Sequence, residues 1–314
     1  MNAKRRSFLK ISSLLAGTAV LNNPLESIAG INRKINTFES GNLKVSIFHT
    51  NNLHGEIEAS FKSFGGLKNV AHKLNEQENS GLLLDAGNFL SKNSTFSSRL
   101  NMISSMNKTG YHAVTPGVNE MISGEEELAQ LASYMEFDLV NCNYNFQNAY
   151  LKQRVKPFTI IHSGKFKIGI TGVGKPVKGI NCSDPFVAAN RMASYLKLNE
   201  KCDLVICLSQ LGFNQKTKTP DNKELAETSK HIDLIISSDL VKASAEQRIL
   251  KNKSFEDVIL SQSVQNGLLV GKTEFYFDAE KNKNRFDTMQ MIPGQKRDTR
   301  FIDAYQEVVQ SKLA

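Results

Sequence analysis

The chain has 314 residues, 40% hydrophobic and 22% charged, with a formal net charge of +8. That length can bury a sizeable core and suits one large domain or two small ones. Four cysteines (Cys142, Cys182, Cys202 and Cys207) form no C-x-x-C pair, and no histidine stands at zinc-finger spacing. They read as small buried hydrophobes. Cys202 and Cys207, five apart, should face opposite ways if both are extended.

The N-terminus reads Lys4-Arg5-Arg6-Ser7-Phe8-Leu9-Lys10, followed by an uncharged apolar run from Ile11 to Leu21 and then Ser27-Ile28-Ala29. Paired arginines, a short apolar core and small residues at −3 and −1 have the form of a twin-arginine export signal. The run is well short of the roughly 20 residues that a spanning helix needs. The expectation is a signal over 1–29, a domain over 30–314, and a periplasmic or membrane-associated protein. An uncleaved signal acting as an anchor is the rival. Nothing later resembles a membrane span. The signal carries Lys4, Arg5, Arg6 and Lys10 against Glu26, so the remainder holds 35 basic and 30 acidic side chains, net +5. Part of that charge lies in Lys281, Lys283 and Arg285, which reads as a solvated hairpin tip. No nucleic-acid partner is expected.

Beyond the signal, periodicity predicts strands over 43–49 and 82–85, with a helix over 67–74 between them. Helices follow over 96–106 and 125–135, flanking an extended run at 111–114. Strands are predicted over 137–141, 158–162 and 167–173, a helix over 185–198, and strands over 204–208 and 232–237. The end turns β-rich: 258–262, 268–277 and 286–292, with a hairpin between the last two. A helix over 301–313 closes the chain. Alternating strands and helices define an α/β domain with a largely parallel or mixed sheet. The β-rich end implies a second sheet packed on the first. In such folds ligands gather beyond the carboxyl ends of strands.

Five strand ends carry polar or small loops: His49-Thr50-Asn51-Asn52-Leu53-His54-Gly55, Asp85-Ala86-Gly87-Asn88, Pro116-Gly117-Val118-Asn119-Glu120, Ser209-Gln210-Leu211-Gly212 and Ser237-Ser238-Asp239-Leu240-Val241. In order and flanks they resemble the five blocks HTND-x-HG, D-x-GD, GNHE-x-D, L-S-H-x-G and GH-x-H. Those blocks belong to the metallophosphatase domain of the 5′-nucleotidase and UDP-sugar hydrolase family, within the calcineurin-like phosphoesterases. The similarity runs from about Asn42 to Asp278, with Gly65-Gly66-Leu67, Ile232 to Ile236 and Gly271 among its flanks. The resemblance implies a four-layer α/β/β/α metallophosphoesterase sandwich. It also implies two close divalent metals that polarise phosphoryl oxygens and generate a hydroxide.

Carried over by position, the metal-ligand places fall on Asn52, His54, Asn88, Val118, Gln210, Asp239 and Val241. The catalytic histidine falls on Asn119 and the aspartate that orients it on Ile122. Of the family's metal ligands only His54 is kept. Asn52 and Asn88 are neutral amides where anions should offset up to four positive charges, and Val118 has no lone pair. No resident cofactor is expected; at most one divalent cation binds weakly, held by His54 and Asp239 with the amide oxygens. Asn52, His54, Asn88, Asn119 and Gln210 could instead donate to phosphate oxygens.

Three functions follow as expectations. The first is an exported, catalytically inactive binding or scaffold protein. Its partner could be a separately encoded protein of the family's C-terminal-domain type. The second is a phosphoric-ester hydrolase with an atypical metal site. The third is a metal-free phosphate- or nucleotide-binding protein. Gly169-Ile170-Thr171-Gly172-Val173-Gly174-Lys175-Pro176 nearly spells a phosphate-binding loop. Pro176 stands where a hydroxyl residue belongs, and no helix pattern follows.

Overall fold

The computed structural model describes residues 43–77, 81–213, 220–238 and 247–294, with the backbone of 33–35. The signal over 1–29, the helix over 301–313, Asp239 and Val241 lie outside the described residues. The first long strand, β2 (Lys44–Thr50), shows how the layers arise. Its side chains alternate, as strand geometry requires. Val45 and Ile47 enter one hydrophobic cluster and Phe48 the opposite one.

Parallel strands β3 (Leu82–Asp85), β4 (Ala113–Val114), β5 (Asp138–Val140) and β7 (Val155–Lys156) extend β2 on one side. Its other side is completed by antiparallel β15 (Val270–Phe277) and β16 (Lys283–Met291). The last two strands of the β-rich end therefore join the first sheet, while the strand over 257–262 belongs to the second. The second sheet comes from the middle of the chain. Its order is β1 (Arg33–Ile35), β8 (Phe158–Ser163), β9 (Phe166–Val173), β11 (Leu204–Ser209), β12 (Leu234–Ser237), β14 (Asp257–Gln262) and β13 (Gln247–Lys251). A short ribbon pairs β6 (Tyr144–Asn145) with β10 (Asn181–Cys182).

Between the sheets lie Val45, Ile47, Leu84, Ile168, Ile170, Ile206, Ile236 and Phe275. Each such side chain contributes about 1.5–3 kcal/mol on burial. The outer faces are covered by helices. Over the first sheet lie α1 (Leu67–Asn75), α2 (Phe96–Thr109), α4 (Glu125–Ala132) and α5 (Ala149–Arg154), which follows the short α3 (Val118–Met121) and α4 in sequence. Over the second lie α6 (Pro185–Ser194) and α7 (Asn222–Thr228). The result is the α/β/β/α arrangement. The helix starts are set locally: Thr95 accepts the Ser98 N–H, Asp184 that of Val187 ahead of Pro185, and Asp221 that of Glu224.

Three expectations change. Cys202 precedes its strand, so it joins Cys207 in one cluster instead of facing away from it. Cys142 and Cys182 are only partly buried, and all four are free thiols. The basic hairpin is not simply solvated: Lys281 reaches the Lys165 carbonyl at 2.6 Å, and Lys283 pairs with Asp233 at 2.5 Å. Short elements such as α7 and β13 escaped the periodicity, having too few turns or alternations to show it.

Candidate functional site

The carboxyl ends of β2, β3, β4, β11, β12 and β14 meet along one rim. Four residues there hold left-handed backbone: Asn52 (φ 51°), His54 (φ 52°), Asn88 (φ 57°) and Asn266 (φ 59°). Asparagine tolerates this region better than most residues. Such strain, of order 1 kcal/mol or more each, gathers at functional sites. Gly87 adopts φ 91°, and a Cβ there would stand 2.6 Å from Gln210 Nε2. Only glycine fits that turn.

Three of the expected ligand positions, Asn52, Asn88 and Gln210, are brought together and bond to one another. The Asn88 amide donates to Asn52 Oδ1 at 3.0 Å and to Gln210 Oε1 at 2.9 Å. Asn88 Oδ1 accepts the Asn119 backbone N–H at 3.1 Å. Gln210 Nε2 donates to the Ala86 carbonyl. Ser238 Oγ donates to Asn52 Oδ1 at 2.6 Å. The Asn119 amide turns away, donating to the Leu90 carbonyl at 2.9 Å. Backbone groups fix the orientation at both ends. An N–H facing Asn88 demands its oxygen, and a carbonyl facing Gln210 demands its nitrogen. The Asn88 nitrogen must then point at two carbonyl oxygens. Asn52 and Asn88 are fully buried, and Gln210 is nearly so.

His54 Nδ1 lies 3.0 Å from Asn266 Oδ1, and the Asn266 N–H donates to the Asn52 carbonyl at 2.8 Å. Val118 is half-buried at the start of α3. Ile122 is 42% exposed, so an apolar side chain sits outside the cluster at the position of the orienting aspartate.

The sequence reading missed the groups beneath. Glu120 is buried and accepts N–H bonds from Gly117 (2.7 Å), Leu90 (2.8 Å) and Asn88 (2.9 Å). Burial pushes its carboxyl up to about 7. Asp85 accepts from Thr50 at 2.6 Å and Gly87 at 2.7 Å, and burial pushes it up to about 8. Both acids stand in quoted motifs, but only burial sets their behaviour. Ser238 and Asn266 carried no signal beyond their place in polar loops.

A dinuclear metal centre needs anionic, lone-pair-bearing atoms aimed between the ligand positions. Here the central position presents an NH₂ group, which has no lone pair to give. Asn52 Oδ1 already accepts two bonds. Among the described residues no group of three or more His, Cys, Asp or Glu side chains could hold a metal ion. The described residues do not fit two metals. The near phosphate-binding loop is also committed elsewhere: the Gly174 N–H donates to Asn143 Oδ1 at 2.8 Å, and the Tyr144 hydroxyl to the Lys175 carbonyl at 2.9 Å.

The layers and the rim have the fold of calcineurin-like phosphoesterases. No protein-family model matches the chain. It is 25% identical to the trifunctional nucleotide phosphoesterase protein YfkN of Bacillus subtilis, over 76% of this chain and 19% of that protein. It is 28% identical to a 5′-nucleotidase of Vibrio cholerae, over 35% and 22%. The chain thus spans less than a third of the curated relatives it matches. Among solved structures, a 5′-nucleotidase precursor from Thermus thermophilus superposes with a TM-score of 0.68 at 20% identity, covering 86% of this chain and 60% of that one. Calcineurin-like phosphoesterase YfkN from Bacillus subtilis gives 0.64 at 18%, covering 86% and 98%. The chain is thus similar in sequence to a nucleotide phosphoesterase and a 5′-nucleotidase, and shares the fold of the calcineurin-like phosphoesterases.

Proposed function

We propose that this protein is an exported member of that group that has given up dinuclear metal chemistry and works by binding. The observation that carries the reading is the Asn88 amide, which donates to both Asn52 and Gln210 where a shared metal ligand should accept. The amides satisfy one another, so the rim closes by hydrogen bonds between neutral groups. The sequence supports export through its paired arginines. Among the described residues no helix is long and apolar enough to cross a membrane.

A phosphoric-ester hydrolase with a single-metal site is the second reading. It is favoured by the names of the relatives, which are nucleotide phosphoesterases and nucleotidases, and it would rest on His54 and Asp239. One experiment separates the two. The protein is purified and its metal content measured by mass spectrometry. Hydrolysis of nucleotides and p-nitrophenyl phosphate is then assayed with Mn²⁺, Mg²⁺ or Zn²⁺. The binding reading expects neither stoichiometric metal nor turnover. Stoichiometric metal, with turnover lost in His54→Ala and Asp239→Ala, overturns it.

A further inference from the structure

The end of the sandwich opposite the rim has its own unusual backbone. Strands β9, β11, β12 and β14 run parallel, so the segments that enter them gather at one end, away from the rim. These segments are 164–165, 198–203, 229–233 and 252–256. The β15–β16 turn is tied to the same end, where Lys281 reaches the Lys165 carbonyl and Lys283 pairs with Asp233. The Lys253 N–H donates to the Ser229 carbonyl at 3.4 Å. Between the segments and the turn lies a cleft of about 550 Å³, lined by Lys197, His231, Glu256 and Asn284 among others.

Left-handed backbone recurs here at Lys201 (φ 56°), His231 (φ 66°), Phe255 (φ 60°) and Lys281 (φ 67°). None of them is glycine or asparagine, which suit that region best. Phe255 is the plainest case, since a bulky side chain at positive φ is rare. Asn252 builds the turn around it, its Oδ1 accepting the N–H groups of Ser254 at 2.8 Å and Glu256 at 3.0 Å. The Phe255 side chain is 84% exposed, so the fold gains almost no packing from it. Leu198 stands out at the same end, 53% exposed. The segments and the turn expose Lys165, Lys201, Lys230, Lys253, Lys281 and Lys283 against two exposed acids, Glu256 and Glu280. The other acids of the entering segments turn inward: Asp203 accepts the Lys167 N–H at 2.7 Å, Asp233 that of Val205 at 2.9 Å, and Glu200 pairs with Lys167 at 2.9 Å. Charge is thereby sorted, with lysines outward and most acids toward the strand starts.

We propose that this end of the sandwich is a docking surface for a bilayer rich in anionic phospholipid. The Phe255 ring enters the headgroup region, and the outward lysines stand against lipid phosphates. A projecting apolar tip flanked by lysines suits such a surface. It does not suit a protein partner, because protein interfaces are depleted in lysine and centre on a broad apolar core. Each lysine at an anionic surface strengthens binding about fivefold. Docked in this way, the rim faces away from the membrane, whatever it binds.

The chain has no tryptophan, so Phe255→Trp puts a single fluorophore at the tip. The intact chain carrying that change is titrated with vesicles of phosphatidylglycerol and, separately, of phosphatidylcholine. A blue shift with the first and not the second is expected, reversed by high salt. Unchanged emission, or equal shifts with both, overturns the proposal. In co-sedimentation with the anionic vesicles, Lys253→Glu should weaken binding about fivefold or more. Phe255→Gly should weaken it about tenfold. Residues 1–29 are common to every variant, so the comparison isolates this end. The thermal midpoint of Phe255→Gly should match or exceed that of wild type, because glycine relieves the left-handed backbone. A lowered midpoint would give the ring a structural role and overturn the argument. Polyglutamate tests the other occupant: a shift with it and none with vesicles marks an acidic protein partner and overturns the membrane assignment.

Discussion

Replacing Asn88 by aspartate would restore the family's residue at the central position of the rim, and the structure says it should harm this protein. The amide supplies two buried hydrogen bonds, at 3.0 and 2.9 Å, to oxygens that offer only lone pairs. In the Asn88→Asp variant a protonated carboxyl has one proton for two acceptors. One bond is lost and one buried acceptor is left unpaired, at a cost of about 2–3 kcal/mol. An ionised carboxylate has none, and its oxygens face two others in a buried site that already holds Glu120 and Asp85. Its folded-state acidity must therefore be weakened. A carboxyl raised on folding adds full stability below its unfolded value, near 4. That stability falls by about 1.4 kcal/mol per pH unit as pH rises toward the folded value. Urea denaturation of wild type and Asn88→Asp, with chelator, should show a deficit of about 2–3 kcal/mol below about pH 4 that widens by about 1.4 kcal/mol per pH unit toward pH 7. A variant as stable as wild type at pH 7 would refute the hydrogen-bond assignment. So would a Mn²⁺-induced gain in the wild type, because an amide network has no use for the ion.

The double change Asn52→Asp and Asn88→Asp should still show no phosphoester turnover with Mn²⁺ or Zn²⁺, because Val118 and Gln210 remain poor ligands; measurable turnover contradicts that ligand argument. His49 is fully buried and bonded to Ser261 at 2.8 Å, and burial holds its imidazole down at about 3. The unfolded chain protonates it near 6.5 while the fold does not. Stability from this site is therefore complete above about pH 6.5 and declines by up to about 1.4 kcal/mol per unit toward pH 3. His49→Gln should flatten the acid limb of a denaturation series, and an unchanged limb speaks against it. A Cβ on Gly271 would sit 2.1 Å from His49 Nε2. Gly271→Ala should thus cost about 1–3 kcal/mol or more by overpacking, read as a lower thermal midpoint.

The sequence was informative wherever a feature is local or ordered along the chain. The short apolar run over 43–49 announced a strand. Five loops at strand ends, in family order, defined the layered fold and the rim. The side chains at positions 52, 88, 118 and 210 pointed to weaker metal binding by type, since a neutral amide lacks the charge of a carboxylate and a valine has no lone pair.

Tertiary structure decided what those residues do instead. Asn88 and Gln210 stand 122 residues apart, and nothing in either loop says that one amide will donate to the other. The β15–β16 hairpin has the same local pattern whether it founds a sheet or extends one. Its docking on β2 depends on pairing across more than two hundred residues, Gly271 with His49. Asp85 and Glu120 look like ordinary surface acids in a loop motif until the rim closes over them. Their acidity belongs to the desolvation that the fold imposes, and desolvation is a property of the assembled layers that no short stretch of chain contains.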